Sequence, residues 1–253
     1  MGTCHRKNSA RVAAGIALSA AALAWSPGAL AQQAVIAACT SYNSVVTTPA
    51  NLSAWDFSQT RATGHNELAP SSLHIWTEGA TSTDKAAGYY ATNFPLSGLG
   101  AETIAQTASF TTVSGTTPPS TQLVVDFNND GSVDGILVGE TVYGNNWWLS
   151  NGSSQFVKDA APHTGGGFGS NWYGTSNEWL NAFPNARVQA IGYSLGSGVL
   201  GDYQINRITA GCTHYTFTSI APPQPQPVPT LWTGALAALG LMLAGLARRR
   251  LTR

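Results

Sequence analysis

The sharpest chemical pattern in the chain is Asp126-Phe127-Asn128-Asn129-Asp130-Gly131-Ser132-Val133-Asp134. It places oxygen-bearing side chains at loop positions 1, 3, 5 and 9, with glycine at position 6. That spacing lets a short loop wrap a hard cation such as Ca²⁺, with the glycine supplying the tight turn. Without a cation, Asp126, Asp130 and Asp134 repel one another; with one, repulsion becomes ligation. Asn-Asp-Gly is also strong turn chemistry by itself, so a turn is expected here with or without an ion.

The flanks of this loop, Leu123-Val124-Val125 and Gly135-Ile136-Leu137-Val138, read as strands, and position 12 is Leu137 rather than the bidentate Glu of an EF-hand. The loop therefore resembles the strand-flanked DxDxDG calcium loops of secreted repeat proteins. That resemblance implies calcium bound by the side chains of Asp126, Asn128, Asp130 and Asp134, and by the carbonyl of Ser132.

Other residues are candidates for catalysis. Gly192-Tyr193-Ser194-Leu195-Gly196 matches the nucleophile elbow G-x-S-x-G, His163-Thr164-Gly165-Gly166-Gly167 suggests an oxyanion loop, and Asp202 and His214 follow the serine in triad order. The elbow requires a strand, a sharp turn and a helix, yet Ser197 to Asp202 is glycine-rich and unhelical. Asp202 and His214 also follow Ser194 too closely to come from separate strands of a hydrolase sheet. Glu78, Glu140 and Glu178 could supply a glycosidase carboxylate pair. His65, Glu67 and His74 lie near Glu78 without zincin spacing.

The paired aromatics Trp147-Trp148, Trp172-Tyr173 and Tyr89-Tyr90 sit beside polar, glycine-rich stretches. Neighbours in a strand point to opposite faces, so one ring of each pair is expected outside. Exposed rings beside Asn and Asp suit a sugar-binding surface, with an apolar plane to stack on and polar groups to orient. Trp147, Trp148, Trp172 and Tyr173 are the ligand-binding candidates. The alternative places one ring in the core and the other over the sandwich edge.

The elements that must position these groups are short and β-like. Candidate strands are Ala34–Ala38, Trp55–Gln59, Leu73–Thr77, Gly88–Asn93, Ala108–Val113, Gln122–Asp126, Gly135–Tyr143, Trp147–Leu149, Gln155–Lys158, Arg187–Tyr193, Gln204–Ile208 and His214–Thr218. Many short strands with turn residues between them predict an all-β fold, a jelly-roll-like β-sandwich over residues 32–220. One short helix is expected, capped by the box Thr175-Ser176-Asn177-Glu178, with Trp179, Leu180 and Phe183 on one face and Pro184 ending it. Cys39 and Cys212 stand at the two ends of this domain and predict a disulfide; Cys4 belongs to the leader.

Charge divides the chain. The twelve acidic residues all lie between Asp56 and Asp202; residues 32–220 hold them with only five basic ones, a net of −7 for the middle, while the remaining Arg and Lys sit at the two ends. An acidic middle argues against nucleic acid as a partner. Residues 1–31 read as a signal peptide: Arg6, Lys7 and Arg11, an apolar run from Val12 to Trp25, and the small-x-small site Ala29-Leu30-Ala31, giving a mature start at Gln32. Residues 221–229, from Ala221 to Pro229, form a stiff proline-rich linker. Residues 230–253 combine the uncharged run Leu231–Ala247 with Arg248-Arg249-Arg250, a short transmembrane helix with a cytoplasmic end.

Val228-Pro229-Thr230-Leu231 with that helix and basic end resembles the IPTL-CTERM variety of exosortase-type sorting signals of Gram-negative bacteria, with Val in place of Ile. The resemblance implies that export machinery and a membrane sorting protease act on the chain, and that it reaches the envelope or cell surface after transient anchoring. Such tails belong to surface and matrix proteins. The expected function is therefore non-enzymatic: carbohydrate binding, or a structural part of the surface or exopolysaccharide matrix. The alternative is a secreted hydrolase of polysaccharide or ester substrates.

Overall fold

The computed structural model describes residues 33–220. Residues 1–31, expected as a signal peptide, residues 221–229, expected as a linker, and residues 228–253, expected as a sorting motif and transmembrane helix, lie outside the described residues. Among those described, no helix is long and apolar enough to cross a membrane.

Fourteen strands form two sheets. The first holds β1 (Asn43–Thr47), β3 (Gly64–Leu68), β4 (Leu73–Thr77), β6 (Ala108–Ser114), β13 (Asp202–Ala210) and β14 (Thr213–Phe217). Here β13 pairs with β4 along Asp202–Ile205, with β14 along Arg207–Ala210, and with β6 over most of its length. β1 lies parallel to β14, and every other strand pair is antiparallel.

The second sheet holds β2 (Trp55–Asp56), β5 (Lys85–Pro95), β7 (Ser120–Asp126), β8 (Gly135–Gly139), β9 (Asn146–Leu149), β10 (His163–Phe168), β11 (Ser170–Thr175) and β12 (Arg187–Gly196). Its order is β10-β11-β9-β8-β7-β12-β5-β2.

The sheets share one apolar core, to which the first gives Leu73, Ile75, Ile205, Ile208 and Phe217, and the second Leu123, Leu137, Leu149 and Ile191. Aromatic contacts cross between them: Trp55 to Phe217 at 5.1 Å and Tyr90 to Tyr215 at 5.2 Å between ring centroids. Strict alternation in β4 explains its placement. Leu73, Ile75 and Thr77 are buried, while His74 and Trp76 face outward. The fold is thus β-sandwich-like, with short helices at its margins.

There are three such helices rather than one: α1 (Ile104–Thr107), α2 (Gln155–Asp159) and α3 (Ser176–Ala182). The expected strand at Gln155–Lys158 is α2. Its alternating pattern is too short to fix a period, and Val157 alone is buried. α3 starts as the capping box predicts. Thr175 N–H donates to Glu178 Oε2 at 2.8 Å, and Glu178 N–H donates to Thr175 Oγ1 at 3.4 Å. Trp179 and Leu180 turn inward, and Phe183 closes the helix.

Two ties close the fold. Cys39 and Cys212 are disulfide-bonded, their Cα atoms 5.5 Å apart. The segment before Cys39 runs over α3 instead of forming the expected strand at Ala34–Ala38. Ala34 N–H donates to Asn181 Oδ1 and Ile36 N–H to Asn177 Oδ1, both at 2.8 Å, and Ile36 is buried. Side-chain oxygens of α3 thus satisfy backbone donors that have no ladder partner. On the other side, buried Asp84 accepts from the side chains and backbones of Thr63 and Thr81. Those bonds, led by Thr63 Oγ1, hold its carboxyl well below the usual carboxylate range.

Candidate functional site

The register of the second sheet sets one row of residues across all eight strands. Asp56 pairs with Tyr89, Tyr89 with Gly192, Gly192 with Gln122, Gln122 with Val138, Val138 with Trp148, Trp148 with Tyr173, and Tyr173 with His163. Directly paired residues share a face. The adjacent row, Ile191, Leu123, Leu137 and Leu149, is fully buried in the core. The first row therefore lies on the outer face.

This register separates the aromatic pairs. Trp148 and Tyr173 are opposite one another on the outer face and partly exposed. Trp147 is buried in the core, and Trp172 packs against it with Lys158 Nζ 5.0 Å from its ring centroid. Of the four ring candidates, the fold brings Trp148 and Tyr173 together and assigns Trp147 and Trp172 to packing. Tyr90 likewise faces the core, whereas Tyr89 lies in the outer row, its hydroxyl donating to Gln122 Oε1. Burial pushes the Tyr89 phenol up to about 12. Gly192 makes room for this ring; a Cβ there would meet Gly88 O at 2.4 Å and Tyr89 Cδ1 at 2.6 Å.

Around Trp148 and Tyr173 the β10–β11 hairpin builds an aromatic ridge. Phe168 stacks on Tyr173 at 4.1 Å and 27°, and His163 stacks on Tyr173 at 5.3 Å and 21°. Tyr143, from the turn after β8, lies 6.1 Å from Phe168. Gly169, at φ +76°, lets the hairpin turn press against Trp148, where a Cβ would sit 2.6 Å from Nε1.

Trp148 Nε1–H donates to Glu140 Oε2 at 3.1 Å. Burial raises the Glu140 pKa, and the indole hydrogen bond partly offsets this. Glu140 and Tyr143 also line a cavity of about 320 Å³ with Thr116, Thr117, Pro118 and Thr141, and exposed Val142 stands at its edge. The arrangement offers ring planes for stacking, a carboxylate as an acceptor, and hydroxyls as donors and acceptors. Groups of this kind can stack on and hydrogen-bond to a polyhydroxylated ring. Phe168, Tyr143 and the cavity had no signal in the sequence, because only cross-strand register joins them to Trp148.

The acidic loop turns the chain from β7 into β8, with Asn129 and Gly131 at φ +59° and +93°. Asp126 is fully buried and accepts from Asp130 N–H at 3.2 Å and Gly131 N–H at 2.9 Å. Asn128 Oδ1 accepts from Asp130 N–H at 3.0 Å, and Asp130 Oδ1 accepts from Ser132 N–H at 2.8 Å. The loop thus holds Asp126, Asn128, Asp130 and Ser132 in one hydrogen-bonded turn. Asp134 is used elsewhere: Oδ2 accepts Phe127 N–H at 2.8 Å and Oδ1 accepts Ser154 Oγ–H at 3.4 Å. Among the described residues no three His, Cys, Asp or Glu side chains gather as a metal-holding group. The side-chain oxygens of Asp126, Asn128 and Asp130 are of the hard kind that calcium takes, and here they accept from the loop amides.

The hydrolase candidates disperse. Ser194 is buried within β12, between β5 and β7, with no turn or helix behind it. Asp202 pairs with His74 at 2.7 Å, and His214 Nδ1 meets Thr209 Oγ1 at 3.0 Å. The three glutamates have separate partners: Glu78 meets His65 at 3.2 Å, Glu140 meets Trp148, and Glu178 is shared by its capping box and His163. On the outer face of the other sheet, Trp76 stacks with His65 at 4.4 Å and with His74 at 4.3 Å. In that cluster Nε2 of each histidine meets a carboxylate, Glu78 for His65 and Asp202 for His74.

Compared with known protein families, characterised proteins and solved structures, the chain matches none of them.

Proposed function

We propose that this chain is an exported envelope or surface protein whose β-sandwich binds carbohydrate without turning it over. The observation that carries the reading is the ridge of Tyr143, Phe168 and Tyr173 beside Trp148, Glu140 and the 320 Å³ cavity. Secretion is supported by the leader-like residues 1–31, by the sorting-signal resemblance at residues 228–253, and by the disulfide, which suits an oxidising compartment. On this reading the mature chain starts at Gln32, export machinery and a membrane sorting protease are its processing partners, and a matrix polysaccharide is its ligand. The jelly-roll assignment belongs to the same reading. It is supported by repeated crossing of the chain between sheets: β1, β3, β4 and β6 alternate with β2, β5 and β7.

Affinity electrophoresis in gels containing soluble polysaccharides tests the site. The protein is retarded by at least one polymer. Tyr173→Ala, which removes the ring between His163 and Phe168, weakens that retention by about tenfold, the equivalent of roughly 1.4 kcal/mol of stacking. Trp76→Ala, on the other sheet, leaves it unchanged. Absence of retardation by every polymer, or release of reducing ends, overturns the binding reading; the second result would favour a hydrolase.

Calcium is the cofactor proposed for the acidic loop, held by Asp126, Asn128 and Asp130 and by the Ser132 carbonyl. Asp134 then braces Phe127 from outside. The ion would supply charge neutralisation that the loop otherwise lacks. Thermal melts rise with calcium and fall back in chelator, by about 2.7 kcal/mol at a hundredfold excess over Kd. Asp130→Ala removes the dependence and keeps the fold. Magnesium substitutes poorly, because it demands a tighter octahedral shell. Superimposed melts in calcium and chelator would reduce the loop to a turn.

A further inference from the structure

We infer that the sugar polymer held at the Tyr143–Phe168–Tyr173 ridge carries free ammonium groups, as a de-N-acetylated amino-sugar polymer does, rather than acidic or wholly neutral units. The inference rests on the carbohydrate-binding reading above and names the ligand class of that site.

The charge of the site points this way. The cavity beside the ridge is lined by Thr116, Thr117, Pro118, Glu140, Thr141, Val142 and Tyr143, with neither Lys nor Arg among them. The ridge adds Phe168, Tyr173 and His163, and His163 is already engaged by Glu178 at 2.9 Å. Lys158, the nearest basic side chain by sequence, lies over Trp172, whose ring packs against the core rather than with the outer row. Among the described residues that line the cavity, a uronate polymer would meet one half-buried carboxylate and no Lys or Arg, which costs affinity by like-charge contact and desolvation.

An amine meets the reverse. Glu140 is held at the cavity wall by the Trp148 N–H, and its other oxygen takes no hydrogen bond from the described residues. Aromatic faces beside a carboxylate attract an ammonium through their quadrupole as well as through charge. The neighbouring threonine hydroxyls can orient the ring that bears the amine. Beyond the site, the middle of the chain carries a net −7, a field that draws a polycation toward it.

The test measures binding of the exported domain, residues 32–220 with its disulfide intact, to four probes: glucosamine oligomers, their fully N-acetylated counterparts, a polyuronate, and polylysine. Glucosamine oligomers bind about tenfold more tightly than the N-acetylated ones, and Glu140→Gln brings that ratio close to one. The glutamine retains an acceptor for Trp148, and thermal melting checks that the variant is folded. Equal affinity for the two oligomers overturns the ammonium inference and leaves carbohydrate binding standing. Tighter binding of the polyuronate also overturns it. If polylysine binds as well as glucosamine oligomers and Glu140→Gln changes neither, only net charge is at work and the site assignment fails. Binding of none of the probes, together with none in the gels, removes the carbohydrate reading itself.

Discussion

Replacing Cys39 and Cys212 together by Ala lowers the unfolding free energy by up to about 5 kcal/mol. The bridge closes a sequence separation of 173 residues, nearly the whole described domain. Closing so long a loop removes much of the entropy of the unfolded chain, and the gain grows with the logarithm of loop length. A second contribution is local. The segment before Cys39 is held by Asn177, Asn181 and the buried side chain of Ile36, so the bridge fixes the segment that covers α3. Urea titration of the oxidised protein and the double variant reads both contributions. The midpoint falls, and the slope rises, because the uncrosslinked chain exposes more surface when unfolded. Asn177→Ala with Asn181→Ala, in the oxidised protein, shifts the midpoint by less and leaves the slope unchanged. Equal midpoints for the oxidised protein and the cysteine variant would show that the bridge contributes nothing.

The parts of this fold that could be read from sequence are those encoded locally. Alternation in Leu73–Thr77 gave β4 its inward and outward sides, and the Thr175–Glu178 box marked the start of α3 to the residue. The turn at Asn129–Gly131 follows from residue chemistry alone. What escaped was encoded between strands. Trp147-Trp148 and Trp172-Tyr173 each announce one ring in and one ring out, but which ring is which depends on pairing Trp148 with Tyr173 and with Val138. A slip of one residue would reverse all four. Phe168 and Tyr143 join the ridge through the hairpin turn and the turn after β8, and neither turn has a pattern that aims its aromatic ring. Gln155–Lys158 was misread as a strand because four residues hold too little periodicity to separate strand from helix. Asp134 keeps its position in the loop motif, and its bonds from Phe127 N–H and Ser154 Oγ–H are not visible in the spacing.

Trp179→Ala destabilises the domain by about 3–5 kcal/mol, the cost of deleting a buried indole from a core that only partly collapses. Trp179 is fully buried, packs against Phe127 at 5.7 Å and Phe183 at 6.1 Å, and donates its indole N–H to Trp147 O at 3.0 Å. α3 has seven residues and cannot persist without that packing. Two features with proposed functions hang on the same ring. Phe127 is the second residue of the acidic loop, and Trp147 is the neighbour of Trp148 in β9. Loss of the indole therefore loosens the loop and the aromatic ridge together, and the calcium-dependent gain in melting temperature shrinks along with polysaccharide retention. Trp179→Phe separates packing from hydrogen bonding. It keeps most of the apolar volume and leaves the Trp147 carbonyl without this donor, at a cost of about 1–3 kcal/mol. Urea midpoints give the two energies, and hydrogen exchange at the amides of β9 and β11 locates the loosening. If Trp179→Ala stays within about 1 kcal/mol of the parent, the indole carries little of the packing; if the loss is full but exchange rises uniformly instead of in β9, β11 and α3, Trp179 is an ordinary core residue. In that case the acidic loop and the ridge are not mechanically joined through it.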